Sequence, residues 1–452
     1  MVAATDINTD ALTPDAHTRE LRRAVVAATV GTTIEWYDFL LYSTMAGLVF
    51  GKLFFPNETP LAATLNAFAI YFVGFVARPI GAFIFGHFGD RVGRKSMLIV
   101  TLMMMGVSTF LVAFLPGYAV IGVWGAVLLT ILRLIQGIGV GGEWGGSVLL
   151  AMEWARHNRE RGFLTSWPQF GGPAGLFLAN LAVLIFSQMS GDAFFAWGWR
   201  IPFALSIVLV GIGLWIRLRI METPVFRKLV AERKIERAPI LEVCRKAPGT
   251  IIAGALARTS EQAPFYIFTA FIFAYGTGVL HASRDLLLAG VLAATLLSAI
   301  TIPLSGHLSD IIGRKKMYII GCVTMGVFGF VYFALLDTGS AALIFVAMVL
   351  SLIPHDMQYG PQAALIAESF TPRLRYSGAS ISYQLASITA GGPAPLIATA
   401  LFATFKSGTP IAIYILITAI ISIAATACLK DYTGRDVSAE YDSDEAVTPA
   451  SA

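Results

Sequence analysis

Charge is what this sequence has least of. Asp, Glu, Lys and Arg make up 13% of its 452 residues, where a soluble globular domain carries roughly 25%. With 56% hydrophobic residues and a mean hydropathy of +0.72, the chain has too few polar side chains to cover a folded surface in water, which excludes a soluble domain. Cysteine is scarce as well. Cys244, Cys322 and Cys428 are scattered without metal-ligand spacing, so neither a disulfide scaffold nor a metal centre is expected. The pattern also lacks a cleavable leader: Asp6, Asp10, Asp15 and Glu20 occupy the stretch where one would be basic and apolar. The first helix is then expected to act as an uncleaved insertion signal.

In place of charge there are long apolar runs. About 20 residues suffice to cross a bilayer, and within lipid such segments must be helical because every backbone polar group needs a partner. The runs predict an all-α membrane protein of twelve spans, at 23–50, 61–88, 96–115, 120–152, 163–188, 201–220, 250–275, 286–309, 317–336, 341–370, 377–405 and 410–429. Twelve crossings place both termini on one side. That side gathers most of the basic residues, including Arg22, Arg23, Arg91, Arg94, Lys95, Arg161, Arg217, Arg314, Lys315 and Arg375, whereas the other has only Lys52, Arg200, Arg284 and Lys406. The positive-inside rule makes both termini cytoplasmic. The net charge of +4 is thus a topology signal and implies no nucleic-acid partner.

A ten-residue phrase occurs twice. Gly-His-Phe-Gly-Asp-Arg-Val-Gly-Arg-Lys runs from Gly86 to Lys95 and Gly-His-Leu-Ser-Asp-Ile-Ile-Gly-Arg-Lys from Gly306 to Lys315, while Gly-Gly-Pro-Ala at Gly171 returns at Gly391; both pairs share an offset of 220. Two unrelated phrases with one offset indicate tandem, structurally equivalent halves, a plan used by many membrane transporters. The expected divisions are a cytoplasmic segment 1–22, a six-helix bundle 23–220, an interdomain loop 221–249, a second bundle 250–429 and a disordered acidic tail 430–452. The loop is either a tether or an interfacial helix with a gating role.

Ionisable residues at bilayer depth cost several kcal/mol on insertion scales and default to functional sites. The set is short: Glu35 and Asp38 in the first helix, Arg78 in the second, Arg133 and Glu143 in the fourth, Arg258 and Glu261 in the seventh, His355 and Asp356 in the tenth. Glu35, Asp38 and Tyr42 share a helix face, as do Arg133, Gln136 and Glu143, and His355, Gln358 and Gln362. Such stripes imply a central polar cavity, which Gln169, Gln262, Tyr266, Tyr383 and Gln384 would extend. Guanidiniums stay charged and fit a carboxylate with a planar fork, so Arg78, Arg133 and Arg258 are candidate anchors for an anion. Glu35, Asp38, Glu143, Glu261 and Asp356 are candidate proton carriers. Arg258 and Glu261, three residues apart, can also simply neutralise each other. In the repeated turns Asp90 and Asp310 precede tight turns at Gly93 and Gly313, and either acid could latch a neighbouring helix end or arginine in one conformation only. Gly137 to Gly142 spells a dinucleotide-binding fingerprint, but with no strand before it the spacing instead permits close helix approach.

At these residues the chain resembles the major facilitator superfamily, over roughly residues 20 to 430. Glu35-Trp36-Tyr37-Asp38-Phe39, Arg78-Pro79-Ile80-Gly81, Arg133-x-x-Gln136-Gly137, Gly141-Gly142-Glu143, Trp199-Arg200-Ile201-Pro202-Phe203 and Glu222-Thr223-Pro224 look like its metabolite:proton symporter family, which includes carriers of shikimate, 2-oxoglutarate, citrate and proline or betaine. His355-Asp356-Met357, Arg375-Tyr376-Ser377-Gly378 and Tyr383-Gln384 look most like the shikimate branch. The resemblance implies that Asp90 and Arg94 belong to a cytoplasmic gate and that Arg200 matters at the periplasmic end of the sixth helix; Gly86, Arg91, Gly93, Lys95, Asp310, Gly313 and Arg314 of the repeated turns are further gating candidates. The expectation is a monomeric, inner-membrane carrier that imports a small organic anion with protons by alternating access, powered by the proton gradient without a cofactor. A carrier for proline or betaine, and a substrate-sensing receptor, are the rival readings; an enzyme would need a nucleophile and base or a metal cluster, and the pattern supplies neither.

Overall fold

The computed structural model describes residues 14–92, 94–153, 155, 159–218, 239–372, 374–435 and 437. Among them there is no strand, and twelve helical segments cross from end to end. These are α1 (Pro14–Met45, continued to Phe54), α2 (Pro60–Val92), α3 (Arg94–Val112), α4 (Trp124–Gly141 and Trp144–Glu153), α5 (Arg161–Ser190) and α6 (Arg200–Ala204 and Ser206–Leu218). The second half holds α7 (Pro248–Ala257, Thr259–Tyr266 and onward to Gly278), α8 (Arg284–Ile312), α9 (Arg314–Leu336), α10 (Ala341–Ala367), α11 (Arg375–Ala386 and Ala394–Phe405) and α12 (Thr409–Cys428). Nine of the segments among the described residues are long and apolar enough to span a membrane by composition alone. The others are α1, α3 and α7. Polar residues dilute two of them, Glu35 and Asp38 in α1 and Arg258, Glu261 and Gln262 in α7, and the apolar part of α3 is short.

The surface is inverted relative to a soluble protein. Phe83, Ile131, Ile300, Val327 and Ile420 stand exposed around the outside, while Arg78, Arg133, Glu143, Arg258 and Asp356 are almost fully buried. Only a lipid surround makes that arrangement favourable.

Within the first half α1 packs on α5, and α4 on α2 and α3; within the second α8 and α9 pack on α10, and α7 and α9 on α12. The halves meet where α5 lies along α8 and α10, and where α2 meets α11. Small residues permit the tightest crossing: a Cβ on Gly137 would fall 2.1 Å from the Gly74 carbonyl oxygen, and one on Gly141 1.9 Å from that of Arg78. The glycine fingerprint in α4 is therefore a packing face for α2. Three helices widen into π-turns, α1 at Ala46–Phe50, α7 at Ile267–Phe271 and α11 at Ser387–Gly391.

At the end holding the termini, two connecting stretches are packed. A two-turn helix, Pro239–Lys246, lies inside the predicted loop, with Val243 fully buried beside Trp144 of α4 and Tyr383 of α11. That part of the connection is packed structure and not a slack tether. The start of the segment expected to be a disordered tail is packed as well. Tyr432 and Val437 are buried against Leu149 and Met152 of the first half and Ala367 and Tyr376 of the second. Arg161 Nη1 donates to the Arg435 carbonyl at 3.1 Å, and Arg375 Nη2 to that of Val437 at 2.7 Å. The rest of the tail lies outside the described residues. At the opposite end a cleft of ≈ 630 Å³ opens between the halves, bordered by Lys52, Glu58, Arg284 and Asp285.

Candidate functional site

Near the middle of the first half, two arginines share one ring. The Phe39 ring of α1 lies 3.9 Å from the Arg78 guanidinium and 3.8 Å from that of Arg133, with Phe75, Tyr42 and Tyr71 completing the walls. Ring quadrupoles stabilise cations where water is absent, which explains how two buried guanidiniums persist here. Among the described residues neither has a carboxylate partner.

Each arginine uses one nitrogen internally. Arg78 Nη1 donates to Ser387 Oγ of α11 at 3.3 Å, and Arg133 Nη1 to Gln136 Oε1. Gln136 is fixed in turn by donating to Thr109 Oγ1 at 2.7 Å and to the Asp38 carbonyl at 2.9 Å. The Nε and Nη2 groups of both arginines are buried without any hydrogen-bond partner. Those two nitrogens form the edge of a guanidinium that grips a carboxylate with two parallel bonds. The Tyr42 and Tyr266 hydroxyls and the carbonyl oxygens of the Gln262 and Gln384 side chains are likewise unpartnered. Tyr266 of α7 reaches the same wall, its ring 5.1 Å from that of Phe75. Buried polar groups left unsatisfied cost about 1–3 kcal/mol each, so a cluster of them points to a site that a polar solute fills.

The carboxylates divide differently from the sequence expectation. Asp38 accepts from Ser206 Oγ of α6 at 2.5 Å, leaving Oδ2 without a hydrogen bond. Glu143 is not a free acid: it is ion-paired with Arg217 of α6, which also donates to the Leu98 carbonyl. Glu35 lies within electrostatic reach of that same arginine and of Arg78. Arg217, one of the basic residues on the side of the termini, is buried; its partner lies on another helix, beyond the reach of any spacing rule along the chain.

In the second half Arg258 and Glu261 do pair, at 3.2 Å. Arg258 also donates to Gln362 Oε1 at 3.1 Å and lies 3.3 Å from the Tyr383 ring. It is thus committed to its own half and is not an open anchor like Arg78 and Arg133. His355 bridges two acids, with Nδ1 2.8 Å from Asp356 and Nε2 3.5 Å from Glu261, and Asp356 also accepts from Thr301. Gln358 faces away from the chamber: it takes the Cys322 thiol at 3.3 Å and packs on Gly321 of α9. Gln169 of α5 is a bridge between halves, accepting from Trp144 Nε1 at 2.8 Å and donating to the Tyr359 carbonyl at 3.2 Å. Phe39 and Trp144 carry no charge and did not stand out in the sequence, although Phe39 belongs to the Glu35–Phe39 phrase.

Of the first charged turn, Gly93, the surroundings of Gly86 and the side chains of Asp90, Arg91, Arg94 and Lys95 lie outside what the structure describes. The second copy is visible. Asp310 accepts from the backbone N–H groups of Gly162 at 3.0 Å and Phe163 at 2.8 Å, at the start of α5, and from Arg314 at 3.0 Å. A carboxylate at a helix N-terminus satisfies orphan donors and the helix dipole together. Glu368 joins the halves beside it, 3.3 Å from Arg161 and 2.8 Å from Arg314; burial raises its carboxyl above the ordinary value, against the pull of those two guanidiniums. Gly313 makes the turn with φ of 104°, a conformation that favours glycine. At the opposite end Arg200 donates to the Ala113 and Leu115 carbonyls, at 3.0 and 2.9 Å, closing the end of α3.

Known proteins share this architecture and sequence. The Shikimate transporter of Escherichia coli K12 is 41% identical over 428 residues, covering 92% of this chain and 97% of its own. The inner membrane metabolite transport protein YhjE of the same organism is 40% identical over 392 residues, covering 85% and 89%. The Proline/betaine transporter of Escherichia coli K12 stands further off, at 30% over 426 residues, with 92% and 85% covered. Among solved structures, the proton:xylose symporter XylE bound to 6-bromo-6-deoxy-D-glucose superposes with a TM-score of 0.75 over 93% of this chain and 98% of its own, at 20% identity; at that identity it supports the fold. The family model for the Major Facilitator Superfamily matches residues 39–392 and 250–443. Two equivalent six-helix halves around a buried polar chamber, with relatives of this kind over nearly the whole length, make the chain a membrane-spanning secondary transporter and not an enzyme, and it belongs to the Major Facilitator Superfamily.

Proposed function

We propose that this transporter is a proton-coupled symporter that imports a small organic anion, shikimate-like or another mono-, di- or tricarboxylate, by alternating access across the inner membrane with both termini in the cytoplasm. One observation carries the reading: the Nε/Nη2 edges of Arg78 and Arg133 are buried and, among the described residues, without a hydrogen-bond partner. A substrate carboxylate supplies what those edges lack, and the Tyr42, Tyr266, Gln262 and Gln384 polar atoms supply partners for hydroxyl groups on the same solute. Asp38, with one oxygen free beside this chamber, and the Glu261–His355–Asp356 chain are the groups placed to take and release protons. The likeness to the Shikimate transporter favours a hydroxylated ring acid. A zwitterion such as proline or betaine would need an acid near the arginines for its cationic group, and Asp38 is the residue that could serve.

Uptake into proteoliposomes tests this directly. Shikimate, aromatic acids, di- and tricarboxylates, proline and betaine are offered with and without an inward proton gradient. Accumulation of a carboxylate that collapses on dissipating the gradient is expected. Accumulation of betaine alone, or uptake indifferent to the gradient, would refute the reading.

A further inference from the structure

The seam between α4 and α11 runs from the arginine chamber to the end holding the termini. Gln384 Nε2 donates to the Gly141 carbonyl at 3.4 Å and the Tyr376 hydroxyl to that of Gly142 at 2.8 Å. Gly145 presents bare backbone to Ser380, where a Cβ would come within 2.2 Å of the serine Oγ. Between these contacts the indole of Trp144 stacks on the Tyr383 ring, with centroids 3.9 Å apart and planes 21° from parallel. Trp144 lies eleven residues after Arg133, roughly 16 Å along the helix toward the termini. The stack thus closes the seam on the terminal side of the chamber.

Its seat is built from the second half. Behind Tyr383 stands Arg258, 3.3 Å from the ring and bonded to the Tyr383 carbonyl at 2.5 Å, with Glu261 and Gln362 fixing the other guanidinium nitrogens. The far edge of the indole is tied through Gln169 to Tyr359 and Gln362. Any parting of the halves at this end must separate the two rings, whereas the Arg258–Glu261 pair lies wholly in one half and can persist.

We propose that Trp144 is the inner gate of the transport cycle, a positioning residue that closes the α4–α11 seam by stacking on the Tyr383–Arg258 column. The proposal deepens the symport reading and rests on it for its place in a cycle. Its closing experiment reads seam opening without transport, so failure of one is distinguishable from failure of the other.

A reporter thiol is placed at Ser380→Cys after Cys244→Ser and Cys428→Ser remove the exposed thiols. Reaction with a small hydrophilic maleimide is timed in detergent micelles. Trp144→Ala is expected to accelerate labelling about tenfold, the worth of a lost aromatic pair, and Trp144→Leu, which keeps bulk without a ring face, to accelerate it similarly. Trp144→Phe restores slow labelling. Ile411→Ala, a core truncation in α12, is the control for general loosening. In proteoliposomes Trp144→Ala should lower the accumulation ratio while leaving half-saturation for exchange unchanged. Unchanged labelling in both Trp144→Ala and Trp144→Leu, or equal acceleration by Ile411→Ala, would overturn the assignment.

Discussion

Replacing Arg133 with lysine keeps the positive charge and removes the planar edge, so it separates geometry from electrostatics. In the structure Nη1 is spent on Gln136, and Nε with Nη2 remain as a two-pronged donor. An ammonium on a shorter stem can satisfy at most one prong. Losing one hydrogen bond to a charged group is worth about 1.5–3 kcal/mol, and each 1.4 kcal/mol is about tenfold, so half-saturation for the transported acid should rise about 10- to 150-fold. The turnover of bound substrate should change much less, because Asp38 and the His355 cluster, the proposed proton groups, are untouched. Arg133→Gln should be worse, since it leaves the chamber with one cation. The cation–π contacts to Phe39, Tyr42 and Tyr71 survive partly in the lysine variant, which favours folding. Radiolabelled substrate binding to purified protein gives the affinity, and initial uptake rates in proteoliposomes give turnover. Unchanged half-saturation in Arg133→Lys would refute the bidentate grip.

Asp38→Asn should abolish accumulation against a gradient while sparing exchange, since the Ser206 bond can persist but the proton site is gone; concentrative uptake by that variant would remove Asp38 from the coupling scheme. Breaking the buried Glu143–Arg217 pair from one side should cost about 3–5 kcal/mol, seen as a lowered denaturation midpoint for Glu143→Gln or Arg217→Gln, with the double variant recovering much of the loss. A double variant as unstable as the sum of the singles would contradict the pairing. Asp310→Asn should slow transport with little effect on binding, because an amide oxygen replaces only part of the grip on the start of α5; normal turnover would reduce that turn to a topology signal.

Much of this was readable before any coordinates. The repeated phrases set the two halves, and the apolar runs set the helices, because backbone satisfaction in lipid leaves no other choice. The ionisable residues within those runs mark the interior for the same energetic reason. Pairings across helices were not readable. Glu143 meets Arg217 and Asp38 meets Ser206 from opposite parts of the half, and periodicity reports only neighbours three or four residues apart. Gln358 shares the stripe of His355 by spacing but turns to α9, since a helix surrounded by neighbours has more than one buried face. Basic residues mark topology only while they stay in water, and Arg161, Arg217, Arg314 and Arg375 are all buried.

The wide turns of α1 and α7, 221 positions apart, meet where Gly47 faces the Ala270 carbonyl and the Phe273 Cβ, both within 3.1 Å of where a Cβ on it would sit. One surplus residue in a turn rotates the rod beyond it by about 100°. Straightening either coil would swing that small residue aside and present some other flank to its twin. Beneath the far cleft the halves thus meet by winding and shape, whereas the mouth beside the termini leans on the buried Asp310, Glu368 and their arginines. Losing one of those buried acids should loosen the mouth beside the termini and leave the other coil contact intact.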